Sequence, residues 1–212
     1  TSRRQRQMCI RDSANEKRRE MEKANERLLE KSETDPLTRL ANRFRLNDYL
    51  ERAFERTRDD HRAFAVEILD IDYFKEYNDN YGHQAGDACI VAIADELRKM
   101  QSHDTFCARY GGDEFIIIYE YKTEDEVFSM ADSLRERILD RRIEHVCSKA
   151  LPVVTISQGI CFDVAPEGSR SWDFLHAADM MLYEVKKRSR NNISLGHLDA
   201  KEARYGEERK FL

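Results

Sequence analysis

Residues 105–120 have the sequence TFCARYGGDEFIIIYE, and this stretch decides the fold prediction. Two runs rich in aromatic and β-branched residues flank the tripeptide Gly111-Gly112-Asp113. Glycine tolerates the backbone angles of a tight turn, so the pattern predicts a β-hairpin. Glu114 follows directly at the start of the second strand. Two carboxylates therefore stand beside a turn without side chains, where a nucleotide could approach the backbone closely.

The rest of the chain alternates between strand and helix patterns on both sides of this hairpin. Apolar or alternating runs predict strands, and apolar residues repeated every three or four positions predict helices. The predicted strands cover residues 63–69, 105–110, 114–120, 153–162 and a short segment from Ile193, and the predicted helices cover 42–58, 88–100, 124–140 and 172–188. After the helix at 42–58, the order β-α-β-β-α-β-α-β combines a hairpin with crossover connections. We therefore expect an α/β (α+β) fold with a central mixed β-sheet flanked by helices.

Both ends of the chain differ from this alternating region. Residues 1–31 contain no proline or glycine and are dominated by charge, with a thin apolar stripe. The spacing of the stripe predicts one long helix with a weak coiled-coil seam, although a solvated single helix has the same pattern. We divide the chain into an N-terminal helical stalk at 1–34, a globular domain at 35–195 and a charged C-terminal tail at 196–212.

Composition argues against several classes of protein. The 36 basic and 41 acidic side chains give a net charge of −5, without the basic excess of a broad nucleic-acid binder. The longest purely apolar run, residues 88–94, is far too short to span a membrane, so we expect no membrane segment. The five cysteines form no CxxC pair, which favours reduced thiols and a cytoplasmic location. The chain begins with Thr1, so we expect it to be part of a longer protein.

Residues 69–75, LDIDYFK, end a hydrophobic strand in two carboxylates. Asp70 and Asp72 flank an apolar residue, and a carboxylate at the carboxyl end of a strand is well placed to bind a hard cation. A helix is predicted to begin directly after this strand. The free backbone N–H groups at its N-terminus favour binding of an anion such as phosphate, and Lys75 adds a positive charge. We expect Asp72 to be the N-cap of that helix, a role that leaves Asp70 unexplained.

Residues 78–87, NDNYGHQAGD, form a second stretch rich in polar groups. An EF-hand calcium-binding loop is excluded, because Tyr77 would occupy the first ligand position, where aspartate is needed. The simpler interpretation is a glycine-punctuated loop before the helix at 88–100, with Asp87 as the cap of that helix. The alternative is a base-binding site, in which the amide of Asn78 and the carboxylate of Asp87 bind the edge of guanine.

Together, these motifs resemble one protein family. The signature Gly111-Gly112-Asp113-Glu114-Phe115 is the one that names the GGDEF domain, the catalytic domain of diguanylate cyclases. Further blocks match this family in the same order, at residues 35–43, 70–87, 154–160 and 178–191. The resemblance implies a mixed sheet similar to that of nucleotidyl cyclases and polymerase palm domains, preceded by a long N-terminal signalling helix.

The resemblance also implies an activity and a set of site residues. GGDEF enzymes condense two GTP molecules into cyclic di-GMP and release two pyrophosphates, with one GTP on each protomer of a dimer. By resemblance, two Mg²⁺ ions, or Mn²⁺ as an alternative, are held by Asp70, the carbonyl of Ile71, Asp113 and Glu114. Asp113 and Glu114 are the implied catalytic pair, with Asp113 as the general base. The implied substrate-binding residues are Phe74, Lys75, Asn78, His83, Asp87, Gly111, Gly112, Lys186 and Arg190.

Three positions refine this expectation. Family members that make mixed guanine–adenine dinucleotides carry serine where this chain has Asp87, so we expect GTP at both sites, because a carboxylate accepts the N–H donors of guanine. The RxxD motif that binds inhibitory product is missing from its window at 102–105, so we expect no product inhibition through it. Ser189 replaces the usual glycine directly before Arg190, which bears on the placement of that arginine.

The resemblance implies partners and also leaves the function open in some respects. We expect a homodimer formed through the N-terminal helix, a sensory domain upstream of Thr1 and no nucleic-acid partner. A membrane anchor upstream of that residue is compatible with these expectations. The main alternative is a non-catalytic GTP-sensing module, although such modules usually have a degenerate signature. A mixed-dinucleotide enzyme is disfavoured by Asp87, and a purely structural dimerisation domain leaves the carboxylates and lysines unexplained.

Overall fold

The computed structural model describes residues 33–198 of the chain. The helix predicted over residues 1–31 and most of the tail predicted at 196–212 lie outside the described residues, so the stalk stays a prediction. Within the described range, no helix is both long enough and apolar enough to cross a membrane.

A five-stranded mixed sheet forms the centre of the described domain. Its strands are β1 (Ala63–Ile71), β2 (Thr105–Gly111), β3 (Glu114–Glu120), β4 (Ile156–Val164) and β5 (Ile193–Gly196), in the spatial order β2-β3-β1-β4-β5. All neighbouring pairs are antiparallel except β4 and β5, which are parallel. The mixed sheet expected from the order of elements is therefore confirmed, with the apolar β1 at its centre.

Helices cover both faces of the sheet. They are α1 (Arg43–Asp59), α2 (Phe74–Tyr81), α3 (His83–Met100), α4 (Glu124–Asp140) and α5 (Ser171–Arg188). Side chains alternate between the two faces along β3. Ile117 belongs to a buried cluster with Leu97 of α3 and Leu134 of α4, whereas Ile118 belongs to a cluster with Leu46 of α1 and Phe174 of α5. The core thus has two layers, and the predicted carboxylates fall where β1 ends and β3 begins.

The segment between β1 and α3 differs from the prediction. The sequence predicts a loop over 78–87, but the structure has two helices that are separated only at Gly82, where φ is +83°. Asp87 therefore lies inside α3 and is not its cap. The glycine pattern was misleading because Gly86 does not break the helix; the missing side chain makes room for the neighbouring helix α2.

The prediction that Asp72 caps α2 is also wrong. The N-cap residue is Tyr73, which has a left-handed φ of +55° and makes no side-chain cap bond. The carboxylate of Asp72 is instead fully buried and accepts hydrogen bonds from the hydroxyl groups of Thr155 and Ser157. A tertiary contact therefore takes the side chain that local sequence would assign to the helix end.

The last long strand begins later than predicted. The sequence predicts a strand over 153–162, whereas β4 begins at Ile156 and extends to Val164. The backbone N–H of Val154 donates to the carbonyl of Ile143, so this part of the chain pairs with the loop after α4 before it joins the sheet.

Candidate active site at the ends of β1 and β3

The signature turn joins β2 to β3 where β1 ends. Gly112 has φ +54°, a conformation that costs an L side chain about 1–3 kcal/mol. The ladder between the two strands shifts register between Arg109 and Gly111. Such a bulge bends the strand and re-aims its side chains. Asp113 and Glu114 are thereby presented beside the last residues of β1.

Arg109 fixes the conformation of this turn from within the hairpin. Its Nε and Nη2 atoms donate to the carbonyl oxygen of Gly112 at 3.1 and 2.8 Å. Its Nη1 atom donates to Oδ1 of Asp35 at 3.1 Å, and the same oxygen accepts bonds from the backbone N–H and the hydroxyl of Thr38. Burial acts to raise the pKa of Asp35, but the bonds from Thr38 and Arg109 lower it below its usual value. The block at 35–43 therefore holds the signature turn in place.

Three carboxylates form the chemical centre of the site. The antiparallel register pairs Asp70 directly with Glu114. Asp70 is 7% exposed, and its pKa rises to about 7 because of burial and the charges of Asp113 and Glu114, although Lys186 opposes the rise. Burial also raises the pKa values of Asp113 and Glu114. Raised pKa values within a cluster of like charges are typical of a functional site.

Lys186 reaches this cluster from the last turn of α5. Its Nζ atom lies 2.7 Å from Oδ2 of Asp70, and its charge opposes the pKa rise of all three carboxylates. The side chain is 28% exposed. An ammonium group has three donors, so Lys186 can bind a phosphate oxygen and keep its contact with Asp70.

The donor set suits a hard divalent cation. Carboxylate and carbonyl oxygens are the ligands that Mg²⁺ prefers, and the chain offers those of Asp70, Ile71, Asp113 and Glu114. A cation would relieve the repulsion among the buried carboxylate of Asp70 and the partly buried carboxylates of Asp113 and Glu114. In the described part of the chain, no three His, Cys, Asp or Glu side chains form a ready-made metal-binding group. The residues therefore fit Mg²⁺ by donor chemistry and local charge, and the ammonium of Lys186 supplies the positive charge at Asp70.

Helices α2 and α3 carry the predicted base-binding residues. The side-chain oxygen of Asn78 is buried and has no hydrogen-bond partner among residues 33–198. A Cβ atom on Gly86 would lie 1.9 Å from that oxygen, so a side chain at this position would displace Asn78. Asp87 and His83 are exposed on α3. A buried acceptor without a donor costs free energy, so this oxygen is an unexplained polar group between α2 and α3.

The structure brings together only part of the predicted set. The three carboxylates and Lys186 form one charged cluster. Lys75, His83 and Asp87 are exposed, and no hydrogen bond or ion pair between residues 33 and 198 connects them to this cluster. Phe74 is buried in the core on the side of α3 and α4.

Arg190 lies beyond the C-terminal end of α5. Its guanidinium is 4.4 Å from the centre of the Tyr73 ring, and its Nη1 atom is 3.6 Å from Oδ1 of Asp72. The backbone has φ +52° at Arg190 and +43° at Asn191, whereas Ser189 has φ −138°. The backbone of Ser189 is therefore outside the left-handed region that favours glycine, so serine is accommodated at this position without backbone strain.

Sequence reasoning missed three supporting residues, namely Arg109, Gly86 and Asp72. A signal for Asp72 was present in the spacing of polar residues: Asp70 and Asp72 are two residues apart at the end of one predicted strand, and Thr155 and Ser157 have the same two-residue spacing in another. Paired polar residues on adjacent strands indicate a buried polar contact, although the sequence does not show which strands are adjacent.

Comparison with known proteins identifies relatives by sequence. A family model described as the diguanylate cyclase GGDEF domain matches residues 32–192. The bifunctional diguanylate cyclase/cyclic di-GMP phosphodiesterase MucR of Pseudomonas aeruginosa is 34% identical over 171 residues, which cover 80% of this chain and 24% of MucR. The diguanylate cyclase DgcP of Escherichia coli is 29% identical over 178 residues, which cover 84% of this chain and 51% of DgcP. The chain thus spans about a quarter to a half of the length of these relatives.

Solved structures give the same result for the fold. The coiled coil and GGDEF domain of DgcB from Caulobacter crescentus, in complex with c-di-GMP, matches with a TM-score of 0.72 at 29% identity over 90% of this chain and 98% of that chain. The diguanylate cyclase SiaD of Pseudomonas aeruginosa, in complex with its activator SiaC, matches with a TM-score of 0.68 at 27% identity over 91% of this chain and 72% of that chain. The signature turn, the paired carboxylates and the family match agree, and the chain belongs to the GGDEF domain family.

Proposed function

We propose that this chain is the catalytic domain of a diguanylate cyclase, which condenses two GTP molecules into cyclic di-GMP and releases two pyrophosphates. The observation that carries the proposal is the register pairing of Asp70 with Glu114, beside Asp113 and the Nζ atom of Lys186. This cluster has more negative than positive charge; Asp70 is buried, and Asp113 and Glu114 are half-buried. Such an arrangement favours a site that handles metal ions and phosphates over a structural ion-pair network.

The metal site of this proposal consists of Asp70, the carbonyl of Ile71, Asp113 and Glu114. These groups would hold two Mg²⁺ ions, with Mn²⁺ as the alternative. When bound, such ions lower the pKa of the attacking 3′-hydroxyl and stabilise charge on the α-phosphate and the leaving pyrophosphate. The support from the chain itself is the excess of carboxylates over cations at the ends of β1 and β3.

Asp113 is the proposed general base. Without a bound cation, burial raises the pKa of this carboxylate above its usual value. The assignment as base follows the family resemblance at the signature. Lys75, Lys186 and Arg190 are the proposed phosphate ligands, because an ammonium is a compact charge and a guanidinium is a planar fork that matches phosphate oxygens. The glycines of the turn allow the nucleotide to approach the backbone.

Guanine recognition is assigned to Asn78 and Asp87, with His83 near the base and Phe74 supporting α2. A carboxylate at position 87 accepts the N–H donors that guanine has and adenine lacks. Since each protomer holds one GTP, the reaction requires two copies of the domain, and we propose that residues 1–34 bring them together as a coiled coil.

A GTP-sensing module is the second candidate function. The observation in its favour is the 2.7 Å ion pair between Lys186 and Asp70, together with the lack of a ready-made metal-binding group in the described residues. In such a module the lysine would stay on Asp70 and bind phosphate without turnover.

The test measures product formation by the whole chain. The parent, Asp113→Ala and the control Asp59→Ala, which removes an exposed carboxylate paired with Arg58 on the surface, are incubated with GTP and Mg²⁺. We expect cyclic di-GMP by mass spectrometry from the parent and the control, and none from Asp113→Ala. GTP binding without product, even when a fused leucine zipper forces dimerisation, would contradict the cyclase and support the sensing module.

A further inference from the structure

Asp72 is a fully buried carboxylate that no step of the proposed function uses. It follows the two residues assigned to the metal ions, at the point where the chain leaves β1. The hydroxyl of Thr155 donates to Oδ2 at 2.7 Å, and the hydroxyl of Ser157 donates to Oδ1 at 2.6 Å. The backbone N–H of Asp72 also donates to the carbonyl oxygen of Thr155 at 2.9 Å. The residue is therefore locked to the start of β4.

The same carboxylate holds the segment that follows α5. The backbone N–H of Asn191 donates to Oδ2 of Asp72 at 2.9 Å. The guanidinium of Arg190 lies 3.6 Å from Oδ1 and stacks on the ring of Tyr73. A buried charge is tolerated where it is hydrogen-bonded and paired, and Asp72 meets both conditions through these partners.

The backbone after α5 needs such support. Arg190 and Asn191 have φ values of +52° and +43°, which residues other than glycine adopt rarely. Conformations of this kind persist only where the surrounding structure determines them. The bond from the backbone N–H of Asn191 to Asp72 ties this reversal to the end of β1, and the bond from Gln158 N–H to the carbonyl of Asn192 ties the next residue to β4. Arg190, whose side chain is 27% exposed, keeps N–H donors that can reach a ligand.

We propose that Asp72 is a positioning residue for triphosphate binding, which acts through Arg190 and does not touch the nucleotide. It fixes the chain reversal at Arg190 and Asn191 and so aims the guanidinium towards the phosphates. The carboxylate joins the end of β1, the start of β4 and the end of α5, and it thereby keeps the metal-binding and phosphate-binding segments at a constant separation. The inference rests on the proposed function, because it assumes that Arg190 binds phosphate.

The test compares two ligands that differ only in their phosphates. Calorimetry on the whole chain measures the affinities of guanosine and of a GTP analogue whose bridging α–β oxygen is replaced by methylene, which prevents turnover. We expect Asp72→Asn to weaken binding of the analogue about tenfold, the loss typical of a charged hydrogen bond, and to leave binding of guanosine unchanged.

A double-mutant cycle separates a positioning role from a general structural one. If Asp72 acts through Arg190, then Asp72→Asn adds little to the loss that Arg190→Gln causes, because the two residues act as a unit. The matched control is Glu67→Gln, which removes a carboxylate that is also fully buried but lies within β1, and it should leave both affinities unchanged. Hydrogen exchange at the amide of Asn191 gives a readout without ligand, and we expect faster exchange in Asp72→Asn.

The outcomes distinguish this inference from the proposed function. A parent chain that does not bind the analogue overturns the proposed function. A parent that binds it while Asp72→Asn binds it equally well overturns the inference alone. Equal losses for the analogue and for guanosine indicate a general structural role and also overturn it. Should Asp72→Asn fail to fold, Ser157→Ala keeps the charge and removes one donor, and an unchanged affinity for the analogue in that variant would again overturn the inference.

Discussion

Asp70 and Glu96 are both nearly buried carboxylates, but their electrostatic surroundings are opposite. Glu96 on α3 is 3% exposed and accepts hydrogen bonds from Lys99, Arg137 and Arg141. Burial acts to raise its pKa, but these cations lower the pKa below its usual value. Asp70 is 7% exposed and has one lysine partner against two neighbouring carboxylates, so burial and repulsion raise its pKa to about 7.

Burial alone therefore does not decide the role of a carboxylate. The charge of Glu96 is outnumbered by the cations around it. Its bonds to Arg137 and Arg141 join α3 to the C-terminal end of α4, so its role is structural. Asp70 belongs to a cluster with an excess of negative charge, which an added cation would relieve. The candidate site is therefore recognised by its unmatched charge, and variants at both carboxylates test this distinction.

The largest expected effect is at Asp70. We expect Asp70→Asn to lower cyclase activity by about 1,000-fold or more, because a neutral amide is a poor ligand for a metal ion in phosphoryl transfer. We also expect the variant to melt at a higher temperature than the parent at pH 8. The folded pKa of about 7 exceeds the ordinary aspartate pKa of 3.8, so ionisation of Asp70 costs the parent stability as pH rises between these values.

Product formation and thermal unfolding at pH 8 check this prediction. Glu184→Gln is the control, because Glu184 is a half-exposed carboxylate on the same helix as Lys186. A lower melting temperature for Asp70→Asn would contradict the conclusion that its charge is unfavourable in the fold.

The second effect is expected at Glu96, with the opposite sign for stability. Glu96→Gln should lower the free energy of unfolding by about 2 kcal/mol at pH 7, because it leaves three partly exposed cations without their shared partner. Since the folded pKa is lowered, the contribution of Glu96 is present above the unfolded pKa and is lost as pH falls through the folded pKa. Urea unfolding at pH 7 and pH 4 measures the difference, and a cost that grows on acidification would refute this account.

A third buried carboxylate, Glu67, differs from Asp70 and Glu96 because its hydrogen-bond donor is a neutral hydroxyl group and not a cation. Tyr119 donates its hydroxyl to Oε2 of Glu67 at 2.7 Å, and burial raises the pKa of Glu67 from 4.5 to about 7 despite this bond. The parent should therefore lose up to about 3 kcal/mol of stability as pH rises through this range.

Glu67→Gln keeps an oxygen that accepts the hydrogen bond from Tyr119. Because glutamine does not ionise, the variant does not lose stability as pH rises. We expect parent and variant to have similar free energies of unfolding at pH 5 and the variant to be more stable at pH 8. Urea unfolding across this range measures both curves. Parallel curves would mean that Glu67 does not titrate in this interval.

The smallest effect is expected at Asp104, a half-buried carboxylate 2.8 Å from Lys122. Asp104→Asn should change the free energy of unfolding by less than about 1 kcal/mol, because asparagine keeps an acceptor for Lys122 and ion pairs near the surface contribute little. Because the window at 102–105 lacks the RxxD pattern, added cyclic di-GMP should not slow the initial rate of parent or variant. Inhibition of the parent that Asp104→Asn relieves would reveal a product-binding site in this window.

Local patterns in the sequence were sufficient to predict most of the sheet. The alternation in β3 and the glycines before it predicted the strand Glu114–Glu120 with its observed bounds, and the helix Glu124–Asp140 was predicted equally well. Both elements depend on side chains that are close together in the sequence, such as Thr123, which caps α4 through a capping box with Glu126. The break at Gly82 and the late start of β4 were not predicted, because they depend on what packs against these segments.

The family, the mixed sheet and the identity of the carboxylates at the signature turn follow from the amino-acid sequence, since periodicity and a contiguous motif are local properties. The contacts that hold these groups depend on tertiary packing. Asp35 and Arg109 are 74 residues apart, and Asp72 meets Thr155, Ser157 and Asn191 at separations of 83, 85 and 119 residues. Contacts between residues so far apart in the sequence arise when strands and helices pack into one core. No local pattern specifies which of the many polar groups will meet there.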